Sequence, residues 1–147
     1  MELTAILCNH AEAQNNLLYI SAGGIDQVHI PAGHPVPFTV SVGLGIVVEV
    51  PRTASDREHT VDIELLDSDG HAVEVQSGVD EYEPFRTQFK FNIGKSNRHE
   101  VDETQSVAFA VNIPVLRLEK LGSYVFTVSV DETVQRRLPY RLVGQAA

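Results

Sequence analysis

The sequence predicts an all-β fold, an immunoglobulin-like sandwich of two antiparallel sheets with about nine strands. Apolar residues alternate with polar ones along most of the chain, which is typical of strands with one buried face. Helical periodicity never lasts longer than about two turns. Turn residues separate the alternating segments at the spacing that a sandwich or barrel needs. A chain of 147 residues fits one domain, so we expect residues 1–147 to form a single unit.

The clearest strand covers residues 38–50. Its first face is entirely apolar and holds Phe38, Val40, Val42, Leu44, Ile46, Val48 and Val50. Its second face holds Thr39, Ser41, Gly43, Gly45, Val47 and Glu49. Only an extended chain places the whole apolar set on one side, because a helix would spread it around its axis.

The remaining strands follow from the same alternation. The first, residues 3–8, is apolar on both faces, as a strand buried on both sides would be. We expect residues 17–21 and 25–30 to pair around Gly23 and Gly24. The later strands are predicted at residues 61–65, 71–75, 85–93, 107–113, 124–130 and 134–142.

Connections are predicted from turn chemistry. Asp67 to Gly70 forms a turn, since Asp tolerates turn conformations and Gly supplies a positive φ. Residues 131–133 form a short hairpin connection. Residues 9–12 and 115–121 are interpreted as single helical turns that serve as connectors. Residues 31–37, 52–58 and 94–105 are interpreted as loops, and the last is the most mobile by composition.

The composition excludes several classes of protein. The net charge of −9 opposes nucleic-acid binding, which needs a basic surface. The most apolar segment, residues 36–50, is too short and too polar to cross a bilayer, so we expect no membrane partner. The first residues lack the pattern of a secretory signal, and Cys8 is the only cysteine. Both observations favour a cytoplasmic location.

The charge is unevenly distributed along the chain. Lys and Arg are absent before Arg52, and Arg57 is the sole basic residue among many acids between Asp56 and Glu83. Residues 86–98 carry four basic residues and no acid. We expect acidic and basic strands to lie side by side and to pair across a sheet. The alternative is a polar field used for docking.

Two segments resemble known families. Residues 121–128 are similar to the tyrosine corner of immunoglobulin-like domains, where a Tyr hydroxyl bonds backbone a few residues upstream. Tyr124 is the residue that fits this structural role. Residues 7–12 and 17–24 resemble an uncharacterised bacterial β-sandwich family, a domain of unknown function. This resemblance implies a fold and a bacterial origin, and it implies no activity.

A calcium site is the main candidate for chemistry. The Asp67-x-Asp69-Gly70 turn offers carboxylates, which hard cations prefer, but His71 and Gly78 stand where an EF-hand needs oxygen ligands. A C2-like site built from neighbouring loops stays open. Its further ligands would come from Asp80, Glu81 and Glu83, or from Asp131 and Glu132.

Other chemistry is predicted to be absent. The six histidines lack the close spacing of a zinc motif and are interpreted as exposed loop residues. No nucleophile elbow is found, and Gly43 and Gly45 lie within a strand, where glycine favours bulging or close approach by another segment. Cys8 is interpreted as a small buried hydrophobe. We expect no catalytic residue, no metal ligand and no cofactor.

The sequence therefore favours a non-enzymatic interaction or structural module. The alternatives are a calcium-dependent C2-like binding module and an enzyme of unrecognised type. Small residues on two strands predict a flat surface covered by a second copy in a homodimer or by another protein. These residues are Gly43, Gly45, Val47, Ala108 and Ala110. The open alternative is cover by the same chain, through Ile6 or residues 10–16.

Overall fold

The structure is a computed structural model that describes residues 1–94 and 104–145. Within them the chain forms twelve strands and one 3₁₀ helix at Arg52–Ala54. The strands are β1 Glu2–Cys8, β2 His10–Gln14, β3 Leu17–Ser21, β4 Gln27–Ile30, β5 Phe38–Pro51, β6 Glu58–Leu66, β7 Glu74–Gly78, β8 Glu81–Pro84, β9 Arg86–Asn92, β10 Thr104–Leu118, β11 Gly122–Val130 and β12 Thr133–Gly144. The described residues contain no helix of the length and apolarity that crossing a bilayer requires. Most of the predicted loop at 94–105 lies outside them.

The strands form two larger sheets and two hairpins. The three-stranded sheet has the order β1-β5-β10, and the five-stranded sheet has the order β4-β12-β11-β6-β9. The hairpins are β2–β3 and β7–β8. The prediction of an all-β chain is confirmed, although the described strands outnumber the expected nine. The expectation of wholly antiparallel sheets is wrong at one place, because β4 pairs parallel with β12. Strands from opposite ends of the chain have the long connection that parallel pairing needs.

The two larger sheets share one hydrophobic core. All seven residues predicted on the apolar face of β5 are buried, from Phe38 to Val50. The five-stranded sheet contributes Val61, Ile63 and Leu65 from β6 and Phe126 from β11, each with no exposed surface. Alternation at period two thus predicted the core face correctly, because successive residues of a strand point to opposite sides.

The N-terminal pairing differs from the prediction. Residues 10–14 form a strand rather than a helical turn, and β3 pairs with β2 rather than with residues 25–30. Asn15 and Asn16 connect the two strands with φ angles of 51° and 59°. Asn is one of the few residues that adopt positive φ in a two-residue hairpin, so Asn15 and Asn16 are the sequence signal for the turn between β2 and β3.

The second expected helical turn is also a strand. Residues 115–118 continue β10, with a register shift between Ile113 and Leu116. Pro114 lies within this shift, and a proline without an N–H cannot complete a regular ladder. The hairpin connection between β11 and β12 is confirmed, with positive φ at Asp131 and Glu132.

Charged strands pair as expected where β6 lies beside β9. Asp62 is buried, and its Oδ1 accepts hydrogen bonds from Arg86 Nε at 2.8 Å and Gln88 Nε2 at 2.9 Å. Lys90 Nζ lies 3.4 Å from Glu58 Oε1. Opposite charges on neighbouring strands therefore neutralise each other across this sheet.

Both ends of the five-stranded sheet are fixed by a buried side chain. The Tyr124 hydroxyl donates to the Lys120 carbonyl at 2.6 Å, and Tyr124 is only 9% exposed, which confirms the predicted corner. At the other end His59 is buried between Asp131 Oδ2 and the Ala54 carbonyl, each 2.6 Å from a ring nitrogen. We call the end of the sheet that holds Tyr124 and Lys120 the tyrosine end. The end that holds His59, Asp131 and Ala54 is the histidine end.

Candidate interaction surface

The predicted interface residues lie together on the outer face of the three-stranded sheet. Ala108 is opposite Val47, and Ala110 is opposite Gly45 in the β5–β10 register. Gly43 continues this row towards the start of β5. Adjacent strands therefore form one surface of small residues on the side that faces away from the core.

The chain's own β2–β3 hairpin covers part of this surface. Gly43 and Gly45 are buried, whereas Val47, Ala108 and Ala110 are half-buried. A Cβ atom at position 45 would lie 2.8 Å from Ile20 Cδ1 and 3.0 Å from Leu18 Cδ2. Close approach by another segment, as expected for glycine within a strand, is confirmed here.

Asn112 holds one edge of the hairpin. Its Oδ1 accepts from the Ala11 N–H at 3.0 Å, and its Nδ2 donates to the Ala11 carbonyl at 2.8 Å. A Cβ atom at position 43 would lie 2.7 Å from Asn112 Oδ1, so glycine there leaves space for the amide. The Asn112 amide thus makes the two hydrogen bonds to Ala11 that a neighbouring strand would otherwise make to β2.

Asn16 makes the reciprocal contact from the hairpin turn. Its Nδ2 donates to the Ser106 carbonyl at 2.6 Å, and its Oδ1 accepts from the Ala108 N–H at 2.9 Å. These bonds satisfy backbone groups on the outer edge of β10. Asn16 and Asn112 together fix the hairpin on β10 by hydrogen bonds that no local sequence pattern predicts.

The hairpin presents apolar side chains to solvent. Leu17 is 59% exposed, Tyr19 is 54% exposed and Ile20 is 39% exposed. All three lie on β3, a strand that carries no charged residue. Sequence reasoning missed this surface, because the strand was assigned to a pair with residues 25–30. The available signal was the uncharged run from Leu17 to Ser21.

The acidic turns do not form the C2-like set. Asp67, Asp69 and His71 offer ligand atoms within 4.8 Å of one another, and this is the only such group among the described residues. Asp67 Oδ1 already accepts from the N–H groups of His71 and Asp69, each at 2.9 Å. These bonds hold the pKa of Asp67 below its usual value.

The other proposed ligands lie elsewhere in the fold. Asp131 and Glu132 follow β11 at the histidine end, whereas Asp67 follows β6 at the tyrosine end. Asp80, Glu81 and Glu83 belong to no such group within the part of the chain that is described. The sequence spacing of acids gave no information about this separation.

The expectation of exposed loop histidines holds for His34 and His71, whereas the exposed His10 and His29 lie in strands and His59 is buried. His59 has 1% exposure within β6. His99 lies outside the described residues. The interpretation of His59 as an exposed loop residue is wrong, because its two acceptors come from Asp131 and from Ala54 in the 3₁₀ helix. Cys8 is fully buried, as expected, and burial raises the pKa of its thiol.

A cavity of about 570 Å³ lies at the tyrosine end. Its lining includes Asp67, Glu74, Arg117 and Tyr124. Asp67 and Tyr124 both hold backbone groups in place there. These hydrogen bonds give both side chains a structural role, which explains why they lie at the cavity.

No curated protein matches the chain. Residues 3–143 match the model of a family of unknown function, DUF6941, and the match covers nearly the whole chain. The chain therefore belongs to the DUF6941 family.

Proposed function

We propose that this protein is a non-enzymatic interaction module that binds another protein chain through the β2–β3 hairpin. The observation that carries the proposal is the exposed, uncharged β3 strand with Leu17 and Tyr19 pointing to solvent. The net charge of −9 makes such a strand unusual on this surface. Apolar surface that is fixed in place and left open is typical of a binding site.

The support of the hairpin favours this function. Its inner side packs on Gly43 and Gly45, and the amides of Asn16 and Asn112 hold it on β10. The strand is therefore presented on a rigid sheet instead of hanging from a flexible loop. A surface fixed before binding loses little conformational entropy when a partner arrives.

A photo-crosslinking residue in place of Tyr19 tests the proposal in the native host. Tyr82 provides a matched control, because it is also a tyrosine with 54% exposure, on the other hairpin between Glu81 and Glu83. We expect light-dependent adducts of protein size from position 19 and few or none from position 82. Adducts with a second copy or with another protein both support an interaction role.

Equal labelling from positions 19 and 82 would contradict the proposal, since it would mean random collision. Absence of protein adducts from position 19 would contradict it as well. The double variant Leu17→Ser, Tyr19→Ser should remove the labelling at a neighbouring reporter on the outer face, such as Gln14. Both side chains are more than half exposed, so the variant should keep the wild-type thermal stability within about 0.5 kcal/mol.

We further propose an immunoglobulin-like two-sheet sandwich, a single domain and a cytoplasmic location in a bacterium. The shared core of the two larger sheets and the Tyr124 corner support the first. The single, fully buried thiol of Cys8 supports a reducing compartment.

A further inference from the structure

We propose that the free edge of β3 pairs antiparallel with β3 of a second copy, joining two hairpins into one four-stranded sheet. The inference rests on the proposed interaction function and names its partner. In the sheet order, β3 has β2 as its only hydrogen-bonded neighbour among the described residues.

The direction of the free backbone groups follows from the Asn112 contact. Asn112 bonds both the N–H and the carbonyl of Ala11, so these groups point away from β3. Ala11 is directly opposite Ile20. Opposite residues of an antiparallel ladder share their orientation, so the N–H and carbonyl of Ile20 point outward from the other edge. The same holds for Leu18, two residues away.

The position of this edge leaves room for another strand. The Asn16 and Asn112 contacts place β2 on the β10 side of the hairpin. A Cβ atom at Gly23 would meet Ile20 at 3.0 Å and Ile6 at 3.3 Å, which places β3 on the β1 side. An added strand would lie over β1, where Thr4 is exposed and Ile6 is half-buried.

Several other strand edges carry features that hinder pairing. The Asn16 amide occupies the β10 edge at Ser106 and Ala108, and the Leu7 carbonyl of β1 accepts from the Gly24 and Ile25 N–H groups. The β9 edge carries Arg86 and Lys90, β8 carries two glutamates and a proline, and β4 has only four residues. Charge, proline and short length all discourage strand addition. Strand β3 carries neither charge nor proline.

The chemistry of this edge suits a second copy of the chain. Each copy carries a net charge of −9, so most contacts between two copies would bring like charges together. Strand β3 is uncharged and pairs with itself without that repulsion. A two-fold axis needs only one self-complementary edge, which a single chain provides.

We infer the register centred on Tyr19, because it uses the outward groups of both Leu18 and Ile20. Leu18 of each copy pairs with Ile20 of the other, and these pairs form about four backbone hydrogen bonds. Tyr19 then faces its own copy across the axis, with Cα atoms about 4.5 Å apart. Leu17 faces Ser21, which places the two Leu17 residues roughly 13 Å apart.

Cysteine crosslinking tests the pairing and the register together. Tyr19→Cys should form an intermolecular disulfide under mild oxidation, because its Cα separation lies within the range that disulfides need. Leu17→Cys is the matched control on the same face of the same strand and should give at least about tenfold less crosslinked dimer. Native Cys8 is fully buried and should not react.

Light scattering on the wild-type protein and Tyr19→Lys completes the test. We expect the wild type to have a dimer mass at about 100 µM, and Tyr19→Lys to have a monomer mass with unchanged circular dichroism. A monomeric wild type, or equal crosslinking at positions 17 and 19, overturns the inference. A monomer overturns only the second copy as partner, because photo-crosslinking at position 19 still decides the interaction function separately.

Discussion

The two ends of the five-stranded sheet are both fixed by a buried side chain, but with different chemistry. At the tyrosine end a neutral hydroxyl donates one hydrogen bond to a carbonyl four residues upstream. At the histidine end the ring of His59 lies between two acceptors, the Asp131 carboxylate and the Ala54 carbonyl. The carbonyl only accepts, so the ring nitrogen that faces Ala54 donates to it, while the other ring nitrogen lies against the carboxylate of Asp131.

The two ends differ in how strongly their contacts stabilise the fold and in whether the sequence predicts those contacts. Charge-assisted hydrogen bonds are stronger than neutral ones. His59 is buried whereas the Asp131 side chain is 45% exposed, so losing His59 is destabilising mainly because the buried Ala54 carbonyl is left without a donor. The tyrosine contact is local and was predicted from the sequence. The histidine contact joins residues 72 positions apart, and no sequence pattern indicates it.

His59→Leu should destabilise the protein by about 3 kcal/mol. The substitution keeps the buried volume but removes both ring nitrogens, so the buried Ala54 carbonyl loses its donor. Urea unfolding at neutral pH measures the effect. His29→Leu is the control, since His29 is exposed and its loss should change the free energy of unfolding by at most about 0.5 kcal/mol. Equal midpoints for the two variants would show that the histidine end contributes little.

Tyr124→Phe should cost about 1–3 kcal/mol of stability, less than the change at His59. The variant keeps the ring and leaves the Lys120 carbonyl without its donor at 2.6 Å. Thermal unfolding followed by circular dichroism measures the loss. A melting curve that coincides with that of wild type would mean that solvent replaces the hydroxyl fully.

The two ends should also respond differently to acid. Burial alone would raise the pKa of Asp131, but hydrogen bonds from His59 and Thr60 outweigh it and hold the pKa below its usual 3.8. The folded state therefore gains stability from this carboxylate above about pH 4 and loses it as pH falls through the lower folded pKa. Asp131→Asn should thus be less stable than wild type at pH 7 and should lose less stability between pH 5 and 2.

Urea midpoints of wild type, Asp131→Asn and Tyr124→Phe across this range measure the acid response. Tyr124→Phe should follow the wild-type slope, because a tyrosine does not titrate in acid. Parallel curves for wild type and Asp131→Asn would contradict a charged contact at the histidine end.

Tyr140→Phe should have a smaller effect at neutral pH, between no change and a stabilisation of about 0.5 kcal/mol. Tyr140 faces Tyr124 across β11 and β12, yet its buried hydroxyl has no partner among the described residues. Burial raises the pKa of Tyr140 from 10.0 to about 12. Its neutral form therefore stabilises the fold below about pH 10, and this contribution is lost as pH rises through about 12.

Thermal unfolding of Tyr140→Phe at pH 7 and pH 11 checks this, with Tyr124→Phe as the matched variant on the neighbouring strand. The Tyr140→Phe protein should lose less stability than wild type on the alkaline side. A loss of more than about 1 kcal/mol at pH 7 would show that the hydroxyl has a bonding role.

Millimolar Ca²⁺ should have the smallest effect, with no shift in the melting temperature. Asp67 at the tyrosine end already bonds two backbone N–H groups, and the acids of the histidine end lie too far away to join it. A cation bound only to the folded state would raise the melting temperature by linkage. An increase that EDTA reverses would support the calcium-binding alternative.

The strands and their inward faces could be predicted because they depend on local periodicity. The alternation from Phe38 to Val50 identifies one buried face whichever strands lie beside it. Tyr124 was also predictable, since its acceptor at Lys120 lies in the same connection. The binding surface was harder, because Gly43 and Gly45 show only that something approaches closely and do not identify what approaches.

The sequence by itself determined the all-β class, the inward faces, the hairpin turn after β11 and the tyrosine end. Each depends on residues that lie near one another in the chain. Only the tertiary structure decided that β2–β3 covers the small-residue surface, that β4 runs parallel to β12, and that His59 meets Asp131. These contacts join segments that are far apart in the chain, and no period or spacing encodes which distant partner a strand edge or a buried polar group will find.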